Sequence, residues 1–325
     1  MIGIGLYGDN GHQLFSLLSG HNRARVVAVA GISGTPPFDQ IRIPPETAVY
    51  QNLEAMLRDP QVEVVSLCSP CRRTQAQEAI ACLQAGRHVY AEKPCAMNEA
   101  ALDAILEAAK TNDCRFHEMA GTAFSQPYLA MRDIVQLGQL GTVIQVAAQK
   151  SYPLHTPAGR PQDESIDGGL LMQAGIHAVR MVEHVAGTRS RHVRAWETGA
   201  GNPVHGGGLR IASSMQMELF NGGLATVITN YLHDPGSGQW GNDALSIFGT
   251  SGVLESWHNG TKTRLVAGGR DFGAIETSQS GRDYFEYMLD EIIDNAAMPL
   301  TLEDELHPTR VVIQAKDSIG QKGMT

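Results

Sequence analysis

A chain of 325 residues is long enough for two domains, and 42% hydrophobic with 18% charged residues excludes the disordered and fibrous classes. A net charge of −9, without any block of Lys and Arg interleaved with aromatics, argues against a nucleic-acid partner. No apolar run reaches the ~18 residues that span a bilayer, the first residues lack a signal-peptide pattern, and the five cysteines do not read as a secreted disulfide framework; a cytoplasmic enzyme with no metal site and no membrane partner is expected.

In chain order, "MIGIGLYG" predicts a strand and "GHQLFSLLSG" a helix closed by Gly20. "RARVVAVAGIS" is a second strand, and "VYQNLEAMLRDPQ" a helix stopped by Pro60. "VEVVSLCSP" is a third strand, "RRTQAQEAIACLQAG" a helix ending at Gly86, and "RHVYAEKP" a fourth strand. "NEAALDAILEAAK" is a helix with Asn98 as its cap, and "CRFHEMAGTAF" a fifth strand. Strands alternating with helices predict a parallel, doubly wound sheet whose ligands bind at the carboxyl ends of the strands.

The rhythm then changes. "PYLAMRDIVQLGQLG" is a helix, "TVIQVAAQKSY" a strand, "PLHTPAGRPQDESID" a polar loop, and "GGLLMQAGIHAVRMVEHVAG" one continuous helix. From residue 190 to 268 strand follows strand, which favours an antiparallel sheet, and two helices close the chain.

Chemistry concentrates in four places. The first is "GLYGDNGHQL". A literal G-x-G-x-x-G, Gly3 to Gly8, lies inside the strand; the useful register places Gly8, Asn10 and Gln13 at the three fingerprint positions, with Gly11 between them. Asn tolerates positive φ, so a tight turn at Asn10 is feasible, and Gly8, Asn10, Gly11 and His12 are candidate cofactor-binding residues. A plain strand-to-helix turn is the competing reading. The second is the end of strand two, where the acid that would hold a ribose is missing: Gly31, Ile32 and Ser33 stand there. Ser33 leaves room for a 2′-phosphate, so NAD and NADP are both open.

The third is "HVYAEKP", where Lys93 at a strand end, between Glu92 and Pro94, points toward the cofactor crevice; a surface lysine is the bland alternative. The fourth is Gln173 and His177, four apart on one helix face, against the alternative of a satisfied core histidine. "CSPC" has redox-like spacing but no second pair, so zinc is not expected. Tyr152, His155 and Arg160 in the polar loop are candidate substrate contacts or solvated side chains.

"SLCSPCRRTQAQEAIACLQAGRHVYAEKPCAMNEAALDAILEAAK", "GQLGTVIQV" and "GGLLMQAGIHAV" together resemble the glucose-fructose oxidoreductase / inositol dehydrogenase / MocA (Gfo/Idh/MocA) family over essentially the whole chain. The resemblance implies an N-terminal Rossmann domain over 1–121 and a C-terminal α+β domain with an open, mainly antiparallel sheet over 122–325, the last helix able to pack back on the first. It implies an NAD(P)-dependent oxidoreductase that moves a hydride between nicotinamide and a hydroxyl-bearing carbon of a sugar, polyol or related small molecule. A homodimer or homotetramer built on the C-terminal sheet is also implied.

Carried over by position, Ser69, Pro70 and Thr74 fall in its second nucleotide loop, Glu92, Lys93 and Pro94 in its E-K-P motif, and His177 at its catalytic histidine. This chain departs from the pattern at Asn10 for a glycine, Gly31 for an acid, Thr74 for a histidine, and Gln173 for the aspartate four residues before the histidine. Those departures keep two alternatives in play: a redox-neutral lyase or glycosidase-type enzyme with retained NAD, and a catalytically inactive cofactor-binding sensor.

Overall fold

The uncharged run Ile2–Tyr7 forms β1, with its four central residues buried as a strand covered on both faces requires. It opens the first of two units into which the chain divides in the computed structural model, which describes residues 1–32, 45–156 and 159–320. That unit comprises Met1–Met119, Ser165–Asp167 and Phe285–Pro299. After β1 come α1 (Phe15–Leu18), β2 (Ala24–Ala30), β3 (Ala48–Tyr50), α2 (Leu53–Leu57), β4 (Val64–Leu67), α3 (Arg72–Gln84), β5 (His88–Ala91), α4 (Glu99–Thr111) and β6 (Phe116–Glu118).

The strands are parallel, in the order β3-β2-β1-β4-β5-β6. This is the doubly wound order, and its switch point lies between β1 and β4, so the crevice at their carboxyl ends is where a dinucleotide belongs.

Local chemistry accounts for most boundaries. Asn98 caps α4, its side chain accepting from Ala101 N, an arrangement worth ~1 kcal/mol. Three expectations change. The helix expected over 11–20 shrinks to the four residues of α1, because the chain before it is held in a loop, His12 N donating to Glu92 Oε2 and Gln13 Nε2 to Gly8 O. The stretch "VYQNLEAMLRDPQ" splits: Ala48–Tyr50 pairs with β2 as an edge strand, and the helix begins only after Asn52, whose side chain caps it. The fifth predicted strand is three residues long and gives way to a 3-10 turn, Gly121–Phe124.

The second unit comprises Ala120–Glu164, Gly168–Tyr284 and Leu300 onward. It contains α5 (Tyr128–Gln136), β7 (Val143–Ser151), α6 (Gly169–Gln173), α7 (Gly175–Arg180), β8 (Ser190–Thr198), β9 (Ala212–Leu219), β10 (Leu224–Asn230), β11 (Asn242–Gly249), β12 (Gly252–Trp257), β13 (Lys262–Ala267), β14 (Arg270–Gly273), α8 (Tyr284–Asp294, shared with the first unit) and α9 (Leu302–Gly320). Its sheet runs β14-β13-β12-β11-β7-β10-β9-β8 and is antiparallel except where β10 pairs with β7. Burial alternates along β9 and β10, as expected of a sheet with one covered face.

The single helix expected over 168–187 is three pieces. Two successive left-handed glycines, Gly168 and Gly169, start α6; the chain bends at Ala174 (φ −99°, ψ −39°); and Met181–Val185 is a π-helical turn. Gly175 lies so close to the sheet that a Cβ there would stand 3.1 Å from Met215 Cε, so the bend lets the backbone approach β9. The stretch that rejoins the first unit is Phe285–Pro299: Glu286 and Asp290 bind Arg23 at 2.5 and 2.6 Å, and Phe285 packs on Tyr90. Helix α9 belongs to the second unit, against β8 and α7.

Candidate active site

The dinucleotide loop is built by long-range hydrogen bonds. Gly8 follows β1 at φ +71°, and a Cβ on it would lie 2.1 Å from Cys68 O, so only glycine brings the β1 and β4 loops this close. Gly11, at φ +143°, is covered by a carboxylate: a Cβ there would lie 2.4 Å from Glu92 Oε2. Gln13 Nε2 donates to the carbonyls of Tyr7, Gly8 and Ser66, and its Oε1 accepts from Ser66 Oγ, locking the third fingerprint position across the crevice. Gly3 and Gly5 lie within β1, so the literal G-x-G-x-x-G is a strand, not a loop.

Asn10 corrects an expectation. The positive-φ turns fall on Gly8 and Gly11, and Asn10 is not among the residues with positive φ. Its side chain acts instead: Nδ2 donates to Pro70 O at 3.2 Å and Ile166 O at 2.7 Å, while its own carbonyl accepts from Arg72 at 2.6 Å.

Glu92 is 1% exposed. Its Oε2 accepts from His12 N at 2.6 Å and contacts His12 Nδ1 at 2.8 Å, and its Oε1 accepts from Lys93 N and faces Lys93 Nζ at 3.7 Å. Burial by itself would raise this carboxyl's pKa; the Lys93 ammonium, the His12 contact and Arg72 outweigh it and hold the group well below the usual carboxylate range. Lys93 itself is buried, and the Lys93–Pro94 peptide is cis. The third loop, after β4, brings Ser69, fully buried, whose Oγ has no hydrogen-bond partner among the described residues. Thr74 turns away: it is exposed, and its hydroxyl donates to Cys71 O within its own helix turn. Ser33 lies outside the described residues.

Two buried side chains that tie these loops together have no motif to mark them in the sequence. Arg72, 2% exposed, binds both Asn10 O and Gln75 Oε1, and Gln75 Nε2 in turn donates to the carbonyls of Glu92 and Pro94. These residues, three apart at the start of a helix, tie all three loops together. Their signal was the polar pair Arg72 and Gln75 on a helix face otherwise rich in alanine.

An orphaned buried hydroxyl at Ser69, glycines whose missing Cβ atoms shape the loop, and an exposed Gly11–His12 tip at the switch point fit a dinucleotide. Gly11→Ala is therefore expected to reduce dinucleotide affinity at least tenfold and to destabilise the fold by ~1–3 kcal/mol, since the new methyl must displace Glu92. Isothermal titration and urea denaturation on the same variant measure both.

In the second unit, His177 lies in α7 with Nδ1 at 3.4 Å from Thr122 Oγ1, and Gln173 ends α6, across the bend at Ala174. Both are partly exposed among otherwise buried neighbours. Tyr152 packs against the cluster of Leu170, Ala174 and Tyr231, and Arg160 lays its guanidinium 3.6 Å from the Tyr231 ring centroid while donating to Pro153 O. Tyr152 and Arg160 thus join the α6 surface through Tyr231; His155 is exposed. Thr122 is a neighbour of His177 that the sequence alone did not single out.

The profile of an oxidoreductase family with an NAD-binding Rossmann fold, Gfo/Idh/MocA, matches residues 1–119, and that of the Gfo/Idh/MocA C-terminal domain matches residues 128–255. The chain belongs to the Gfo/Idh/MocA family. A myo-inositol 2-dehydrogenase of Thermotoga maritima is 27% identical over 149 residues, 45% of this chain and 42% of that protein. A trans-1,2-dihydrobenzene-1,2-diol dehydrogenase of Homo sapiens is 30% identical over 166 residues, 50% of this chain and 48% of that protein. The chain spans about half the length of the relatives it matches.

Among solved structures, one from Thermotoga maritima superposes with a TM-score of 0.85 at 23% identity, covering 99% of both chains. An aldose-aldose oxidoreductase from Caulobacter crescentus gives 0.81 at 19% identity over 98% of both. These likenesses establish a shared fold. The expected architecture, a doubly wound parallel sheet followed by a mainly antiparallel one, is the one observed.

Proposed function

We propose that this protein is an NAD(P)-dependent oxidoreductase acting on a CH–OH group of a sugar, polyol or related small molecule. The observation that carries the reading is the buried Lys93, set beside a buried Glu92 carboxylate at the carboxyl end of β5 in a sheet of dinucleotide-binding order. Gly8, Asn10, Gly11, His12, Ser69, Pro70, Glu92 and Pro94 would hold the nucleotide, whose nicotinamide supplies the hydride acceptor or donor when bound. Lys93 holds the reacting oxygen and stabilises alkoxide charge as it develops. His177 takes the hydroxyl proton in the oxidation direction and returns it in reduction. Gln173 orients by hydrogen bonds alone, since an amide exchanges no proton at neutral pH. Tyr152, His155 and Arg160 are assigned to substrate recognition.

Incubation with a panel of polyols and sugars, scoring NADH or NADPH formed per product, tests this reading. One reduced nicotinamide per oxidised product supports it; product released from a glycoside with no net nicotinamide change favours the redox-neutral alternative, which the amide at Gln173 motivates. Gln173→Asp is expected to shift the acid limb of the pH–rate profile toward higher pH, because a carboxylate beside His177 favours the charged imidazole. An unchanged profile would count against the proton role of His177.

We further propose a homodimer or homotetramer formed through the outer sheet face, where Ile144, Trp196, Leu224, Ile228, Phe248 and Trp257 are exposed. A cytoplasmic location is consistent with five free cysteines, and no described helix is long and apolar enough to cross a membrane.

A further inference from the structure

Helix α3 starts without a side-chain cap: its N-cap residue is Cys71, which makes no capping hydrogen bond from its side chain to the helix amides. The first amides of a helix need partners from elsewhere. They find them in a strap of three residues, Ser165–Asp167, which belongs to the first unit although it is distant in sequence. Arg72 N donates to Ile166 O at 3.0 Å and Arg73 N to Ser165 O at 3.0 Å, and Cys71 Sγ donates to Ser165 O at 3.1 Å.

A further tie comes from the dinucleotide loop: Asn10 Nδ2 donates to Ile166 O at 2.7 Å. Ile166 O thus accepts from both the helix start and the loop. Asn10 simultaneously fixes the loop, through its N–H to Cys68 O at 3.3 Å and through the Arg72 guanidinium on its carbonyl.

We propose that Asn10 is a positioning residue that couples docking of the strap Ser165–Asp167 to the shape of the dinucleotide loop, so that bound nicotinamide dinucleotide and docked strap stabilise each other and the cofactor leaves slowly. The coupling is reciprocal by thermodynamic necessity. A dinucleotide that needs the loop in its ordered shape holds Asn10 in place and thereby the strap; a docked strap holds Asn10 and thereby the loop. A glycine at position 10 keeps the main-chain bonds and removes both side-chain bonds, which makes Asn10→Gly a selective probe that leaves the helix and strands intact. This inference rests on the proposed dinucleotide-dependent function and goes beyond it by predicting how the cofactor is retained.

The experiment is hydrogen–deuterium exchange of the full-length protein with and without NADH and NADPH, combined with stopped-flow measurement of reduced-nucleotide release. In the wild type, exchange over 164–168 and at the start of α3 is expected to slow at least tenfold when nucleotide binds. In Asn10→Gly that protection is lost and release accelerates at least tenfold. Asn10→Asp, which offers acceptors to carbonyl oxygens and no donor, is expected to behave like Asn10→Gly, whereas a purely space-filling role would be rescued by it. A wild type that binds neither nucleotide overturns the functional reading and this one together. A wild type that binds, with release and strap exchange unchanged in Asn10→Gly, overturns this inference alone.

Discussion

Replacement of Lys93 by Met is expected to lower kcat/KM by on the order of 10²–10³, the usual cost of removing a group that stabilises developing oxyanion charge. The same change leaves the buried Glu92 carboxylate without its ammonium neighbour, so a loss of ~3–5 kcal/mol of stability accompanies it. Two effects on one variant need separating, and Glu92→Gln in the Lys93→Met background does so. The neutral amide removes the carboxylate that lost its ammonium and restores part of the stability, its one oxygen accepting from His12 N or Lys93 N but not from both, while activity stays low because the ammonium is still missing. Steady-state kinetics and urea denaturation of both variants check the pair of outcomes; recovery of activity in the double variant would remove Lys93 from the chemistry.

A second large effect concerns acid sensitivity. His184, in the π-helical turn, is 4% exposed and donates from Nε2 to Asp304 O at 2.9 Å, which leaves Nδ1 as a buried acceptor. Burial, reinforced by Arg180, pushes its pKa down to about 3. The folded protein therefore resists taking up a proton that the unfolded chain binds from ~6.5 downward, and stability falls as pH drops between ~6.5 and 3.

At pH 5 the contribution is ~2 kcal/mol relative to neutral pH. Glu183, one residue away, works in the opposite direction: burial raises its pKa despite the His307 contact at 2.8 Å, so its contribution favours folding below the unfolded carboxyl pKa and is lost as pH rises. Urea denaturation of wild type and His184→Gln at pH 7.5 and 5.0 isolates the histidine, because Gln can still donate to the Asp304 carbonyl. The difference in stability between the two proteins should shift by ~2 kcal/mol between the two pH values in favour of the variant. A pH-independent difference would mean that His184 takes up its proton as readily in the folded protein as in the unfolded chain.

Much of the architecture is legible in the sequence because burial on both faces of β1 and β4 requires uncharged, mostly apolar runs, and because Asn98 and Gly86 mark helix ends by local chemistry. The misread pieces depend on contacts that no local window contains. Ala48–Tyr50 is a three-residue edge strand half exposed to solvent, with too little periodicity to separate it from the helix that follows. The loop before α1 is held by Glu92, 80 residues away, so its glycine spacing predicted a helix longer than the one that forms.

The candidate site follows the same division. Glu92, Lys93 and His177 stand out by residue type and order. The role of Asn10 as a side-chain donor, and of Arg72 and Gln75 as the ties among three loops, appears only when the β1, β4 and β5 ends are brought together. The spacing of Gln173 and His177 predicts one shared helix face, but the bend at Ala174, made where Gly175 approaches the sheet, puts them on two short helices.

The proposed function requires residues 8–13 to form a working dinucleotide loop despite their irregular glycine spacing. Fluorescence titration of protein shown to be free of cofactor, with NADH and NADPH in parallel, tests it most directly. Saturable binding of at least one nucleotide is expected, weakened at least tenfold in Gly11→Ala, whose added methyl would meet Glu92. Absence of binding by either nucleotide, or equal binding by Gly11→Ala, would contradict it.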